Sequence, residues 1–187
     1  MPGNCIFTDA NQPLQSVEFN PAPLFEQLAL NRLVFDSLFT IGLRQDVRYR
    51  SAANKWNLLE ILCHMVDEEK DDFKARLNHV LNTPDAPLPA IDPEGWVQSR
   101  NYGEQNFEKK LEEFLTERHR SVRWLQSLKD PKWDNAYAHP KFGPLSAKMF
   151  LCNWVAHDQH HIRQINELQH TYLLHTSGDP LRYAGEW

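Results

Sequence analysis

Apolar residues recur at helical spacing in several stretches of this chain, and prolines mark where those stretches must stop. Proline cannot continue a helix and also restricts the residue before it. The prolines at 2, 13, 21, 23, 84, 87, 89, 93, 131, 140, 144 and 180 leave open runs at 24–83, 94–130 and 145–179. In the first run Leu24, Phe25, Leu28, Phe35, Leu38 and Phe39 form an apolar stretch that stops short of Gly42, a residue suited to end a helix. A second helix is predicted from Asn57, which with Glu60 forms a capping-box pair. It carries Leu58, Leu62, Met65, Phe73, Leu77 and Leu81 on one side and ends before Pro84. Phe107, Leu111, Phe114, Leu115, Val122 and Leu125 predict a third, amphipathic helix from about Glu104 to Leu128. Ser146 is a good N-cap for a fourth, which runs beyond Leu168 through Phe150, Trp154, His157, His161 and Ile165.

Four helices of about 18–28 residues, each roughly 27–42 Å long, without convincing strand alternation, predict an all-α four-helix bundle. The connections are unusual. Thr83–Gly103 is long and proline-rich, whereas bundle loops run to about 2–8 residues. Twenty extended residues cross ~60 Å, which allows helix 3 to start at the end opposite to where helix 2 stops, giving an up-down-down-up topology. Pro131–Pro144, with Trp133, Tyr137, His139 and Phe142, is a second long connection placed to cover a bundle end. The expected organisation is an N-terminal extension over 1–20, one bundle domain over 21–175 and a tail over 176–187.

Composition removes several function classes. The 187 residues carry a formal net charge of −5, which repels phosphate backbones and anionic lipid surfaces, so no nucleic acid or membrane partner is expected. No apolar run reaches the roughly 20 residues of a membrane helix. Glycine is scarce at seven, and no phosphate-loop or dinucleotide fingerprint occurs. Cys5, Cys63 and Cys152 are few and far apart, which excludes a disulfide framework and a C-x-x-C motif and suits a reducing cytoplasm. Cys63 and Cys152 read as small buried hydrophobes, and Trp56 and Trp154 as core residues. The N-terminus has no signal-peptide pattern.

Histidine, in contrast, is abundant: five of nine, His157, His160, His161, His170 and His175, fall within 19 residues. His157 and His161 lie one turn apart on one helix face, in register with Phe150, Trp154 and Ile165, and Gln164 extends that face. Spacing leaves two readings of the pair, a polar pair on a long helix or two ligands of one metal ion. Their inward register favours the second, because an unpaired buried imidazole is costly. His64, on helix 2, sits on a face bordered by Glu60, Asp67, Glu68 and Asp71. His157-Asp158-Gln159-His160-His161 is also one methylene short of the zincin H-E-x-x-H, with no third ligand at the metzincin spacing. Glu167-x-x-His170 matches one element of a di-iron bundle, but no second copy exists. His79, His119, His170 and His175 read as solvated or loop-edge residues.

These residues fall in a known order. Trp56, Glu60, His64, Asp67 and Glu69 resemble the W-x-x-x-E-x-x-x-H-x-x-D-x-E element of the DinB/YfiT-like superfamily. His139-Pro-Lys-Phe-Gly143-Pro-Leu-Ser146, followed by His157-Asp-Gln-His-His161-Ile-Arg-Gln164, is similar to its second half. The likeness spans about residues 24–172. It implies an up-down-down-up bundle holding one divalent metal ion, nickel or zinc, on His64, His157 and His161.

Three neutral imidazoles leave such an ion positively charged with an open position, the arrangement of a catalytic site. It can lower the pKa of a water or thiol. Asp67, Glu60 or Glu68 would then orient His64 or accept a proton, and Gln164 would hydrogen-bond a ligand or a ligand histidine. The catalytic candidates are accordingly Asp67, Glu60 and Gln164. The resemblance implies a metal-dependent enzyme acting on a small molecule, first a transferase of low-molecular-weight thiols, with metal-dependent hydrolysis or a non-catalytic metal-binding stress-response role as alternatives. Arg100, Lys132 and Lys141 are the loop cations available to an anionic thiol, and Trp133 and Trp187 are candidates for a bundle-end or homodimer contact.

Overall fold

A computed structural model describes residues 18–42 and 44–187. The predicted 1–20 extension and Cys5 therefore fall almost wholly outside the described residues. Helix α1 spans Ala22–Gly42. Its last residue packs on the next helix so closely that a Cβ at Gly42 would collide with the Leu58 side chain. Helix α2, Leu58–Asp67, starts with the expected capping box: the Glu60 amide donates to Asn57 Oδ1 at 2.9 Å, and the Asn57 amide donates to Glu60 Oε2 at 3.0 Å. All ten of its residues are buried. A π-helical stretch, Glu68–Phe73, joins it to α3, Lys74–Asn82, so the predicted second helix is one rod with a widened turn inside it. Such turns recur next to functional sites.

The segment after α3 is not wholly extended. It contains α4, Pro93–Ser99, capped by Asp92, whose side chain accepts from the Gly95 amide. Trp96 and Tyr102 seal this segment onto α2. The third bundle helix, α5, is Phe107–Ser127 with Asn106 as its cap, and a 3₁₀ turn at Tyr102–Glu104 occupies the place where the helix was expected to begin. The second long connection holds a β-hairpin that alternation did not predict. Strands β1, Ala136–His139, and β2, Gly143–Ser146, pair antiparallel with Tyr137 opposite Leu145. Helix α6 follows at once, Ala147–Ser177. The Ser146 hydroxyl accepts from the Met149 amide at its start, and Gly178, at φ 66°, ends it.

Pairwise contacts give the topology. Phe39 of α1 meets Phe107 of α5, and the Leu28 carbonyl meets Arg118, so α1 and α5 are antiparallel. Asn31 reaches Asp158, and the Leu38 carbonyl accepts from Gln169, so α1 and α6 are parallel. His64 faces His161 and Glu69 faces Trp154, so α2 and α6 are antiparallel. Taken in chain order the rods run up, down, down, up, with α4 on the connection that returns the chain along the bundle.

The core has two apolar clusters. One holds Phe35, Phe39, Leu59, Leu62 and Phe114. The other holds Leu28, Leu77, Leu125, Leu151 and Trp154. Between them lies a buried ionic waist. The Arg118 guanidinium donates to Asp158 at 2.6 and 2.7 Å and to Glu69 at 3.0 Å. Trp154 Nε1 also donates to Glu69, and Asn31 to Asp158. Every member has a partner, which such a network needs if burial is not to be a net cost. Phe19 and Phe25 pack against Trp133 at the second cluster's end. Among the described residues no helix is long and apolar enough to cross a membrane.

Candidate metal centre

His64 comes from the middle of α2, and His157 and His161 from successive turns of α6 at the same level as the ionic waist. Because α2 and α6 pack side by side, the three rings meet. His64 Nε2 lies 3.2 Å from His157 Nε2, and His161 Nε2 lies 3.0 Å from the same atom. One nitrogen from each ring falls within 4.8 Å of the other two. Nitrogens each about 2.0–2.1 Å from one tetrahedral ion stand about 3.3 Å apart, so the spacing of these atoms fits the donor set of a single ion. Without a cation between them, three converging nitrogen atoms cannot all be satisfied by one another.

Surroundings favour the neutral, ligating form of each ring. Burial, reinforced by the neighbouring imidazoles, lowers His64 to about 3 and His157 to about 2. Burial lowers His161 to about 4, against a hydrogen bond donated to Gln164 that works in the other direction. That bond is short, Nδ1 to Gln164 Oε1 at 2.7 Å. An amide oxygen accepts only, so Nδ1 carries the proton and the Nε2 lone pair points into the cluster. Behind His64 the arrangement is looser. Its Nδ1 lies 3.9 Å from Glu68 Oε1, and neither atom has a hydrogen-bond partner. Burial and the adjacent Asp72 push the Glu68 carboxyl up to about 8.

The cluster floors an open cavity of about 410 Å³ whose mouth is formed by Asn54, Lys55, Trp56, His160 and Gln164. Trp56 was expected in the core. It stands half-buried against the imidazole of His64, ring centroids 4.8 Å apart. His160 remains outside the converging trio, its ring edge-on to His161.

The other sequence candidates have different partners. Glu60 belongs to the α2 cap and to an ion pair with Arg50. Asp67 accepts from the Tyr102 hydroxyl at 2.6 Å and pairs with Arg100 at 2.8 Å. Of Asp67, Glu60 and Gln164, only Gln164 touches the cluster. Asp158 of the zincin-like motif points into the core, onto Arg118. Arg100 is stacked on Trp96, Lys141 lies over Phe142, and Lys132 lines a separate groove beside Phe19. Among the described residues the cation lining the cavity is Lys55, which in the sequence reads as one more surface lysine although it directly precedes Trp56. Cys63 is buried, and burial pushes its thiol up to about 12, which makes it inert; Cys152 is only half-buried. His170 is stacked on Trp187.

Comparison with known proteins agrees with this architecture. Among solved structures, the chain is similar to YfiT from Bacillus subtilis, described as a probable metal-dependent hydrolase with an unusual four-helix bundle topology. The TM-score is 0.72 at 16% identity, over 85% of this chain and 91% of that one. At that identity the likeness speaks for the fold. A search of curated proteins finds no significant match. The family model of the DinB superfamily matches residues 28–165, a span that contains all three clustered histidines and most of the bundle. By that match the chain belongs to the DinB superfamily.

Proposed function

We propose that this protein is a metal-dependent enzyme acting on a small molecule, with one divalent ion, nickel or zinc, held by His64, His157 and His161. The observation that carries the reading is the convergence of three Nε2 atoms, at 3.0 and 3.2 Å spacings, on the floor of a cavity open to solvent. Imidazole donors suit zinc and nickel alike. An ion bound there would supply Lewis acidity, lowering the pKa of a water or thiol on its open side. The protein's own contributions are to keep three imidazoles neutral, to fix the His161 tautomer through Gln164, and to leave one side of the site accessible.

The reaction we favour is transfer of a low-molecular-weight thiol to an electrophilic small molecule. Among the described residues no carboxylate lines the cavity. A thiol, with a pKa near 8.5, ionises beside a cation more readily than water does and has less need of a dedicated base. The second reading is metal-dependent hydrolysis, favoured by the description of the YfiT neighbour. The deciding experiment incubates zinc- and nickel-loaded protein with several thiols and an electrophilic acceptor, and separately with esters and amides without thiol. Thiol-dependent consumption of the acceptor, lost in His64→Ala and His157→Ala, supports transfer. Thiol-independent cleavage lost in the same variants supports hydrolysis. Turnover that survives both substitutions overturns metal dependence altogether.

A further inference from the structure

The chain is acidic, with a formal net charge of −5, yet its histidine cavity is not. Its mouth offers two amides, Asn54 and Gln164, an imidazole, an indole face and one ammonium, Lys55. Lys55 is exposed, and none of the ion pairs among the described residues involves it; its backbone carbonyl is instead fixed by Arg50. Arg50, whose guanidinium also holds that carbonyl, is occupied on Glu60, and Arg100 on Asp67 and Asp71. Lys55 is also held in place, since Trp56, the next residue, is wedged against His64, and Asn57 after that is the α2 cap. Among the described residues the acid closest to the cluster is Glu68, which lies at Nδ1 of His64, the edge turned away from the converging Nε2 atoms.

The geometry points to an anion-recognition subsite: Lys55 binds a carboxylate or phosphate carried by the small-molecule substrate, while the reacting end of that substrate lies over the three histidines and its apolar body against Trp56. This rests on the metal reading above and adds a substrate class to it, since a cationic or neutral small molecule gains nothing from Lys55. A single ammonium several ångströms from a solvated anion amounts to about a three- to tenfold preference in affinity. That preference must shrink as salt shortens the screening length.

The test uses cobalt(II)-loaded protein and three thiols of similar size, mercaptopropionate, mercaptoethanol and mercaptoethylamine, with binding followed by the thiolate-to-cobalt absorption. Wild type, Lys55→Ala and Lys55→Arg are compared, so intrinsic differences between the thiols cancel. Expected is a ratio of mercaptoethanol to mercaptopropionate dissociation constants that falls about three- to tenfold in Lys55→Ala. Lys55→Arg should restore it, and high salt should reduce it in wild type. Mercaptoethylamine should bind Lys55→Ala better than wild type. If the thiols bind and the ratio does not change in Lys55→Ala, the subsite is overturned while the metal reading stands. If the protein takes up no cobalt, or if His64→Ala leaves the absorption intact, the metal reading fails and takes the subsite with it.

Discussion

Gln164 accepts a 2.7 Å hydrogen bond from Nδ1 of His161, and the opposite nitrogen of the same ring stands 3.0 Å from His157. One amide thus sets which lone pair reaches the proposed metal. Replacing Gln164 with alanine frees the ring to rotate and to change tautomer, and is expected to weaken zinc binding about 10–100-fold. Gln164→Glu keeps the acceptor and should bind at least as tightly as wild type. Competition against a chromophoric chelator measures both, and equal affinities for wild type and Gln164→Ala would remove Gln164 from the site.

Metal should stabilise the fold as well as serve chemistry. An ion present at a hundred times its dissociation constant adds about 2.7 kcal/mol to the unfolding free energy. Thermal melts of chelator-treated protein should rise on addition of zinc or nickel, and the rise should vanish in His157→Ala.

Acid should destabilise the metal-free protein through the same rings. The folded-state values of His64, His157 and His161, about 3, 2 and 4, lie below the ordinary 6.5. Below pH 6.5 the unfolded chain therefore binds protons that the folded chain refuses, and stability falls as pH drops. Glu68 acts in the opposite sense. Raised from 4.5 to about 8, its carboxyl keeps in the folded state a proton that the unfolded chain releases, and stability falls as pH rises through that window. Asp72, also raised by burial, acts in the same sense as Glu68, but the three imidazoles outnumber the two carboxyls and should place the optimum near neutrality with a steep acid limb. Urea melts from pH 4 to 8 in the presence of chelator would test this, and His157→Ala should make the acid limb shallower.

The ionic waist offers a test of architecture. Arg118→Ala leaves Glu69 and Asp158 buried without their cation, a loss of about 3–5 kcal/mol. Urea titration would register it as a lower midpoint. A double change to Arg118→Met and Asp158→Asn, which removes charge from both sides, should cost less than Arg118→Ala alone.

Glu60→Ala addresses a carboxylate that the sequence placed near the metal and the structure places in a cap. Its loss should cost stability of about 1 kcal/mol through the Asn57 capping box and the Arg50 pair. Zinc affinity should stay within about twofold, since Glu60 touches none of the three rings.

The helices were legible because their punctuation is local: prolines bound the runs, Asn57 with Glu60 and Ser146 cap two helices, and Gly42 ends the first. The hairpin was not, since Ala-Tyr-Ala-His and Gly-Pro-Leu-Ser show little apolar alternation and owe their pairing to a turn. Nor was the π-helical turn, for which Glu68–Phe73 gives no sequence signal. At the site, the helical positions of His157 and His161 were readable, because one helix fixes their spacing. The fates of Asp67 and Glu60 were not, because Tyr102, Arg100 and Arg50 claim them from segments whose approach is set by tertiary packing. Trp56 illustrates the same limit, since its size suggests the core while the bundle leaves it at a cavity wall.

His64 and His157 meet across a sequence separation of 93 residues. A ribosome adding about 5–20 residues per second leaves the first imidazole waiting roughly 5–20 s for its partners, paired meanwhile with nothing but solvent or a chance ion. Only the i, i+4 pair on α6 can form within one local segment, and three-point capture has to follow docking of the last helix on the second. Metal acquisition at the proposed site would therefore be a late event in the life of the nascent chain, and an ion bound there would act as a seal on a bundle already closed rather than as a seed for its folding.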